Sequence, residues 1–192
     1  GSLDGLSVLE LGSGAGEGAV YFAMQGAKVT ATDLSEGMLK VVNKLAKHND
    51  VSVNTVVAPA DDLRAFPDDS FDIVYGANLL HHVDVKKTLT EVKRVLKPGG
   101  RAAFWDPIAY NPAINVYRRM ATEVRTPDEH PLTMSDIKIM RGLFDQCRFQ
   151  FSWLLALAVF VKMYVIDKVH PNDERYWKVI FEKEKKLSGF VR

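Results

Sequence analysis

Three glycines at alternate positions follow a short apolar run near the start of the chain. They are Gly12, Gly14 and Gly16. A turn built from glycine lets the backbone lie close to a ligand, because no Cβ atom stands in the way. Glu10 lies within the apolar run, and Asp33 ends a second apolar run seventeen residues after Gly16. A carboxylate in the position of Asp33 accepts hydrogen bonds from ribose hydroxyls, so this spacing predicts a nucleoside site.

The elements that must position these residues alternate between strand and helix over residues 6–106. The predicted order is a strand at 8–11, a helix at 17–25 ended by Gly26, a strand at 28–32, a helix at 36–48 capped by Ser35, a strand at 51–57, a strand from Phe71, and a helix that Asp84 caps and Pro98-Gly99-Gly100 stops. The basic residues of the last helix are predicted to be its solvated face: Lys86, Lys87, Lys93, Arg94 and Lys97. This alternation predicts an α/β fold, a doubly wound, mostly parallel sheet with helices on both faces.

The segment from Glu10 to Gly16 resembles motif I of the class I S-adenosylmethionine-dependent methyltransferases, because its glycines follow E-x-G-x-G-x-G rather than the dinucleotide pattern G-x-G-x-x-G. Four further matches occur in the family's order: Asp33, Ala58–Leu63, Phe71–Val83 and Val95–Arg101. The matches span residues 8–106, over half of the chain. They are closest to the type 11 branch, which contains ubiquinone-biosynthesis and other small-molecule methyltransferases.

The resemblance implies S-adenosylmethionine as cofactor and S-adenosylhomocysteine as product. The cofactor residues it implies are Glu10, Gly12, Ser13, Gly14, Gly16, Asp33, Leu34, Ala60, Asp61, Asp62 and Asn78. In this assignment Glu10 lies below the methionine ammonium, Asp33 binds the ribose and Asp61 meets the adenine amino group. Two alternatives stay open: Asp33 belongs to a segment that caps the next helix, and Asp61 belongs to a solvated turn.

Two histidines, His81 and His82, follow the fourth strand, where this family places the reactive methyl group. Imidazole titrates near neutral pH, so either is a candidate general base; alternatively, one caps the next helix or packs against the loop. Candidate substrate residues lie after the fifth strand: Tyr110, Arg118, Arg125 and His130. The arginines there are equally suited to pair with Asp128 and Glu129 and fasten the loop. No close His/Asp/Glu spacing matches a metal-ligand set, so no metal is predicted.

Composition and charge indicate an ordinary globular protein. The 192 residues carry a net charge of +1, and this lack of basic excess argues against a nucleic-acid partner. Residues 78–82 also lack the Asn/Asp-Pro-Pro-aromatic motif of base amino-methyltransferases. One cysteine, Cys147, excludes an internal disulfide, and no signal peptide is visible, so a cytoplasmic location is predicted. We expect one domain, 1–192, with a cofactor-binding core at 6–106 and a substrate lid and C-terminal region at 107–192.

Both ends of the chain depart from the family pattern. The first strand begins about six residues in, so the helices that usually precede it are predicted to be absent: either they were removed from the expressed chain or one cofactor edge is more open. Beyond residue 107 we predict helices at 113–123 and 134–143 and a sixth strand at 147–157. Residues 153–166 are predicted to form a buried helix, or else a membrane-surface or homodimer contact. A seventh strand at 177–182 and a helical tail remain alternatives.

The function that this resemblance implies is methyl transfer from S-adenosylmethionine to a small-molecule acceptor at oxygen, nitrogen or carbon. One alternative is a protein of the same fold that binds S-adenosylmethionine or S-adenosylhomocysteine without turnover. A third, an NAD-dependent oxidoreductase, is disfavoured by the glycine spacing.

Overall fold

The computed structural model describes residues 2–109 and 130–150. Strands and helices alternate as far as residue 105, and a further helix follows. The elements are β1 (Ser7–Leu11), α1 (Glu17–Met24), β2 (Lys28–Asp33), α2 (Glu36–His48), β3 (Val53–Val57), β4 (Phe71–Ala77), a 3-10 turn (Leu80–His82), α3 (Val85–Val95), β5 (Leu96–Trp105) and α4 (Met134–Leu143). All of these elements belong to one compact unit. Among these described helices, none combines the length and the apolar content needed to cross a membrane.

The five strands form one parallel sheet in the order β3-β2-β1-β4-β5. The predicted α/β fold is confirmed. The strand order reverses between β1 and β4, which are neighbours in the sheet although two strands separate them in the chain. In open parallel sheets ligands bind beyond the carboxyl ends of the strands at such a reversal. Gly12, Asp33, Asn78 and Asp106 stand at the carboxyl ends of β1, β2, β4 and β5, so the topology brings Asp106 to the same edge as the three predicted cofactor positions.

Both faces of β1 are buried, which is why its sequence is almost continuously apolar. Leu9 and Leu11 pack in the cluster that includes Val92 of α3, and Val8 packs on the other face with residues of α1 and α2, including Val42. Each of these five side chains is fully buried, and burying a side chain of this size contributes about 1.5–3 kcal/mol. The glycine turn therefore follows the most completely buried strand of the sheet.

The helix boundaries follow the predicted caps. The Ser35 hydroxyl accepts a hydrogen bond from the Met38 amide at 3.3 Å, and the Asp84 carboxylate accepts one from the Lys87 amide at 3.0 Å. Gly26 adopts a left-handed φ of +86° just after α1. The predicted helix at 134–143 is also confirmed, and Thr133 and Asp136 form a capping box at its N-terminus.

Two predicted boundaries were wrong. β3 begins at Val53 rather than Val51, because the Val51 amide donates to the Ala46 carbonyl at 3.1 Å and stays with the end of α2. α3 ends at Val95, before the Pro98-Gly99-Gly100 turn, because Leu96 already pairs with Phe71 of β4. Pro98-Gly99-Gly100 instead lies in an irregular stretch of β5, where the register with β4 shifts.

Several predictions fall on residues outside the described ranges. These are Tyr110, Arg118 and Arg125, the helix at 113–123, the contact surface at 153–166 and the seventh strand. The predicted sixth strand at 147–157 is described only over residues 147–150, and these four residues carry no strand.

Candidate functional site

The glycine turn after β1 has one side packed and one side open. Gly14 and Gly16 adopt left-handed φ values of +51° and +85°, which favour glycine. A Cβ atom on Gly16 would lie 2.7 Å from the Val42 side chain, whereas one on Gly14 would meet no atom within 4 Å. The turn is tied to β2 by a hydrogen bond of 2.8 Å from the Ser13 amide to the Thr32 carbonyl. Gly16 is therefore needed for packing against α2, and Gly14 faces open space.

Asp33 joins this turn to the start of α2. Its Oδ2 atom accepts a hydrogen bond from the Gly14 amide at 2.9 Å, and its Oδ1 atom accepts one from the Ser35 amide at 2.8 Å. Because Ser35 also caps α2, the interpretation that this segment starts the helix is confirmed. Each carboxylate oxygen has a second lone pair, so the half-buried Asp33 still has acceptor capacity beside the open face of Gly14.

Glu10 is a buried acid beneath the same turn. Its residue surface is 5% exposed, and its Oε2 atom has no hydrogen-bond partner in the part of the chain that the structure describes. Burial raises the pKa of Glu10 to about 7, partly offset by the backbone amide of Ala19. Tyr75, its register partner on β4, has a raised pKa through its own burial and the charge of Glu10. A buried carboxylate with a spare oxygen is suited to a cationic ligand group.

Gly18 in the first turn of α1 was not predicted to matter. A Cβ atom placed there would fall on the Glu10 Oε1 atom and would lie 3.4 Å from the Tyr75 ring. Glycine is a poor helix former, so a glycine in the second position of a helix, close to a charged strand residue, was the signal available in the sequence. Because Gly18 has no side chain, the Glu10 carboxylate fits between β1 and α1.

The predicted adenine segment, Ala60–Asp62, is a turn closed by a hydrogen bond of 3.2 Å from the Asp62 amide to the Pro59 carbonyl. The Asp62 carboxylate accepts a hydrogen bond of 2.7 Å from the Arg64 Nε atom, and this contact lowers the pKa of Asp62 to about 2. Asp62 is thus already engaged with an exposed arginine. Asp61, beside it, is half-buried and is the better placed acid for a ligand.

Apolar and amide groups occupy the same edge of the sheet. Leu34 directly follows Asp33 and is 73% exposed, although contact of an apolar side chain with water is unfavourable. Trp105, at the end of β5, is 54% exposed, and its carbonyl accepts a hydrogen bond of 2.7 Å from the Asn78 amide. Asn78 itself adopts a left-handed φ of +52°. Exposed apolar side chains beside polar groups suit a ligand that has both apolar and polar surface.

His81 and Asp106 form a buried pair where β4 and β5 end. The His81 Nδ1 atom lies 2.8 Å from the Asp106 Oδ1 atom, and the side chains are 6% and 1% exposed. The Oδ2 atom of Asp106 has no hydrogen-bond partner among the described residues. His82 is exposed, with its ring centroid 4.0 Å from that of His81. The backbone of His130 also reaches this pair, because its amide donates to the His81 carbonyl at 2.8 Å.

These contacts decide between some of the alternatives at the histidines. Asp84 caps α3, so neither histidine has that role. Asp106 was not predicted as a site residue; the signal available in the sequence was an acid at the end of a strand, as at Asp33. Within the described ranges, no group of three or more His, Cys, Asp or Glu side chains is arranged to hold a metal ion.

A parallel sheet with this strand order, a glycine turn after β1 and acids at the ends of β2 and β5 define a class I methyltransferase fold. A family model described as a methyltransferase domain matches residues 9–104, which is half of the chain. The chain belongs to this family, the type 11 branch of the class I S-adenosylmethionine-dependent methyltransferases.

Relatives and solved structures agree with this assignment. The chain is 45% identical over 98 residues to a demethylmenaquinone methyltransferase of Clavibacter sepedonicus, a match that covers 50% of this chain and 39% of that protein. The crystal structure of the YcgJ protein of Bacillus subtilis is 28% identical with a TM-score of 0.62, over 72% of this chain and 61% of that one. An S-adenosylmethionine-dependent methyltransferase of Mesorhizobium loti is 33% identical with a TM-score of 0.52, over 59% of this chain and 53% of that one. The chain spans about half the length of the curated relatives it matches.

Proposed function

We propose that this chain binds S-adenosylmethionine and transfers its methyl group to a small-molecule acceptor. The observation that carries the proposal is the arrangement of Asp33 and Glu10 around an open glycine turn. Asp33 stands beside the face where a Cβ atom on Gly14 would meet nothing, and Glu10 lies buried beneath with a spare oxygen. Residues 6–106 would hold the cofactor and residues 107–192 would cover the acceptor, within one domain.

The chemistry of these groups fits the cofactor. The carboxylate of Asp33 suits the ribose diol, the buried carboxylate of Glu10 suits a cationic ammonium, and exposed Leu34 suits the flat face of the adenine. Asp61 and the backbone of Ala60 lie on the next loop of the same edge and would meet the adenine amino group. When bound, the cofactor supplies an electrophilic methyl group on a sulfonium sulfur, and no phosphate has to be accommodated.

His81 is the proposed general base and Asp106 its partner. With the proton of the neutral imidazole on Nδ1, hydrogen-bonded to Asp106, the Nε2 atom is the basic nitrogen. His81 would take the acceptor's proton while the acceptor's lone pair bonds to the methyl group that the cofactor would supply, and the electron pair of the carbon–sulfur bond would remain on sulfur. The buried Asp106 carboxylate would stabilise the resulting imidazolium and hold the ring in one orientation.

The acceptor class follows from this base. A phenol, hydroquinone or thiol has a proton acidic enough for imidazole to remove, and the demethylmenaquinone methyltransferase relative is named for a quinone-type acceptor. Of the proposed acceptor residues, His130 is held next to His81 through its backbone amide. Tyr110, Arg118 and Arg125 remain proposed acceptor contacts.

Replacing Asp33 tests the cofactor assignment. Asp33→Asn removes the charge and one acceptor oxygen, and a charged hydrogen bond contributes about 1.5–3 kcal/mol, so we expect the affinity for S-adenosylhomocysteine to fall by about tenfold or more. Asp50→Asn is the matched control, because Asp50 is exposed at the opposite edge of the sheet and its φ of +54° suits asparagine.

Isothermal titration calorimetry with S-adenosylhomocysteine, S-adenosylmethionine and NAD measures this effect. Equal affinities in the two variants would remove Asp33 from the site. Binding of NAD with no binding of the other two compounds would replace the proposal by the oxidoreductase alternative.

Replacing His81 separates an enzyme from a binding protein. We expect His81→Ala to slow transfer of a labelled methyl group to phenol, hydroquinone and thiol acceptors by about a hundredfold or more, the usual contribution of a general base, while cofactor affinity changes little. His82→Ala, which alters the exposed neighbour, is the control. Unchanged rates in the His81 variant would make that residue structural, and no labelled product from the unaltered chain with any acceptor would favour the non-catalytic binding protein.

A further inference from the structure

Arg94 of α3 uses its whole guanidinium group to hold the loop between β3 and β4. Its Nε and Nη2 atoms donate to the two Glu91 carboxylate oxygens at 3.0 and 2.8 Å. Its Nη2 atom also donates to the Leu63 carbonyl at 2.9 Å, and its Nη1 atom donates to the Phe66 carbonyl at 3.0 Å and to Asp68 at 2.7 Å. The prediction that Arg94 belongs to a solvated helix face was wrong, because its guanidinium group is hydrogen-bonded to three residues of this loop.

Glu91 completes the attachment from the same helix. Its Oε2 atom accepts a hydrogen bond of 2.9 Å from the Leu63 amide, so the amide and the carbonyl of this one residue are both bound to α3. The Leu63 side chain is fully buried in the core cluster beneath. Leu63 directly follows the Ala60–Asp62 turn. The other end of this turn begins three residues after the end of β3. The turn is therefore fixed on both sides.

The strength of this attachment comes from geometry. The Arg94 and Glu91 side chains are only 28% and 20% exposed, and the arginine holds the pKa of Glu91 below its usual range. Isolated surface ion pairs contribute little. A planar guanidinium that binds a carboxylate with two parallel bonds and also reaches two backbone carbonyls is different, and the single ammonium of a lysine cannot reproduce it.

We infer that Glu91 and Arg94 are positioning residues that hold Asp61 and its turn in register with the sheet edge, and that they thereby set the preference of the site for adenine over other bases. This inference rests on the proposed function, because it takes the Ala60–Asp62 turn as the one that meets the base. Neither residue touches the ligand in this account; each acts through Leu63.

The test compares two ligands that differ only at the base. S-inosylhomocysteine carries an oxygen where S-adenosylhomocysteine carries the amino group. We expect the unaltered chain to bind the adenosyl compound about tenfold more tightly or better, and Arg94→Lys to abolish most of that preference, since a displaced turn loses the hydrogen bond to the amino group. Arg101→Lys is the matched control, because Arg101 is exposed on β5.

Two further measurements keep a positioning role apart from a loss of fold. The thermal midpoint reports global stability, and amide hydrogen exchange at Leu63 reports the local attachment; Glu91→Gln should leave the turn closer to its place than Arg94→Lys and retain part of the preference. An Arg94→Lys variant with a lowered midpoint and an intact adenine preference would overturn the inference. Equal binding of both compounds by the unaltered chain would overturn it and leave the proposed function standing, whereas binding of neither would remove both.

Discussion

A carboxyl group that is buried without enough hydrogen-bond donors has a raised pKa, because its charged form is poorly solvated. Glu10 lies on a central strand with one oxygen unpartnered in the described part of the chain, and its pKa rises to about 7. Near neutral pH the group is therefore divided between its neutral and its ionised form. A bound cation favours the ionised form, so binding of an ammonium-bearing ligand should release protons.

Glu10→Gln tests this at the residue scale. The folded-state pKa lies above the unfolded value of 4.5, so the contribution of Glu10 to stability is fully present below pH 4.5 and is lost as the pH rises through 7. Glutamine keeps the shape and does not titrate. Between pH 5 and pH 8 we expect the free energy of unfolding of Glu10→Gln to rise relative to that of the unaltered chain by about 2 kcal/mol.

Denaturant titrations of both proteins at the two pH values give this difference directly. Glu17→Gln, in the exposed first turn of α1, is the control and should show none of it. If the two proteins keep the same stability difference at pH 5 and pH 8, then Glu10 titrates as an exposed acid and the cationic-ligand interpretation loses its electrostatic support.

At the scale of elements, the contact between α1 and β1 depends on what α1 leaves out. A helix that begins Glu17-Gly18 gives up helix propensity at its second position, yet a side chain there would occupy the place of the Glu10 carboxylate. The loss of helix propensity at Gly18 is offset by the space that it leaves for the Glu10 carboxylate. α1 thus shapes the site as well as covering one face of the sheet.

Two matched glycines make this measurable. Gly18 and Gly37 each hold the second position of a helix, but a Cβ atom on Gly37 would only touch the Ser35 hydroxyl at 3.4 Å. We expect Gly37→Ala to be neutral or to stabilise the protein by up to about 1 kcal/mol, and Gly18→Ala to destabilise it by about 1–3 kcal/mol through overpacking. We also expect Gly18→Ala to weaken binding of S-adenosylhomocysteine. Thermal unfolding and calorimetry of the pair check both effects, and similar behaviour of the two variants would contradict the proposed contact.

At the scale of the whole molecule, the sequence predicted what is local and missed what depends on distant contacts. The bounds of α2, the caps at Ser35 and Asp84 and the parallel order of the core follow from periodicity and from residues a few positions apart. The bond from Arg94 to Leu63 spans 31 residues, and the pairing of His81 with Asp106 spans 25. Nothing in the local pattern around Arg94 distinguishes it from Lys93, which stays exposed. Only the folded sheet brings such groups together.

The chain leaves the sheet at Pro107 and is fastened back to it at Leu132, whose amide donates to the Pro107 carbonyl at 3.0 Å and which also bridges Ile108. Because Pro107 and Leu132 are bonded to each other, the number of residues between them can change without displacing the end of the sheet. Doubling such a loop costs only about 0.6 kcal/mol of closure entropy. On the proposed function, changes in the stretch between Pro107 and Leu132 would alter the choice of methyl acceptor and would leave the residues proposed to bind the methyl donor in place.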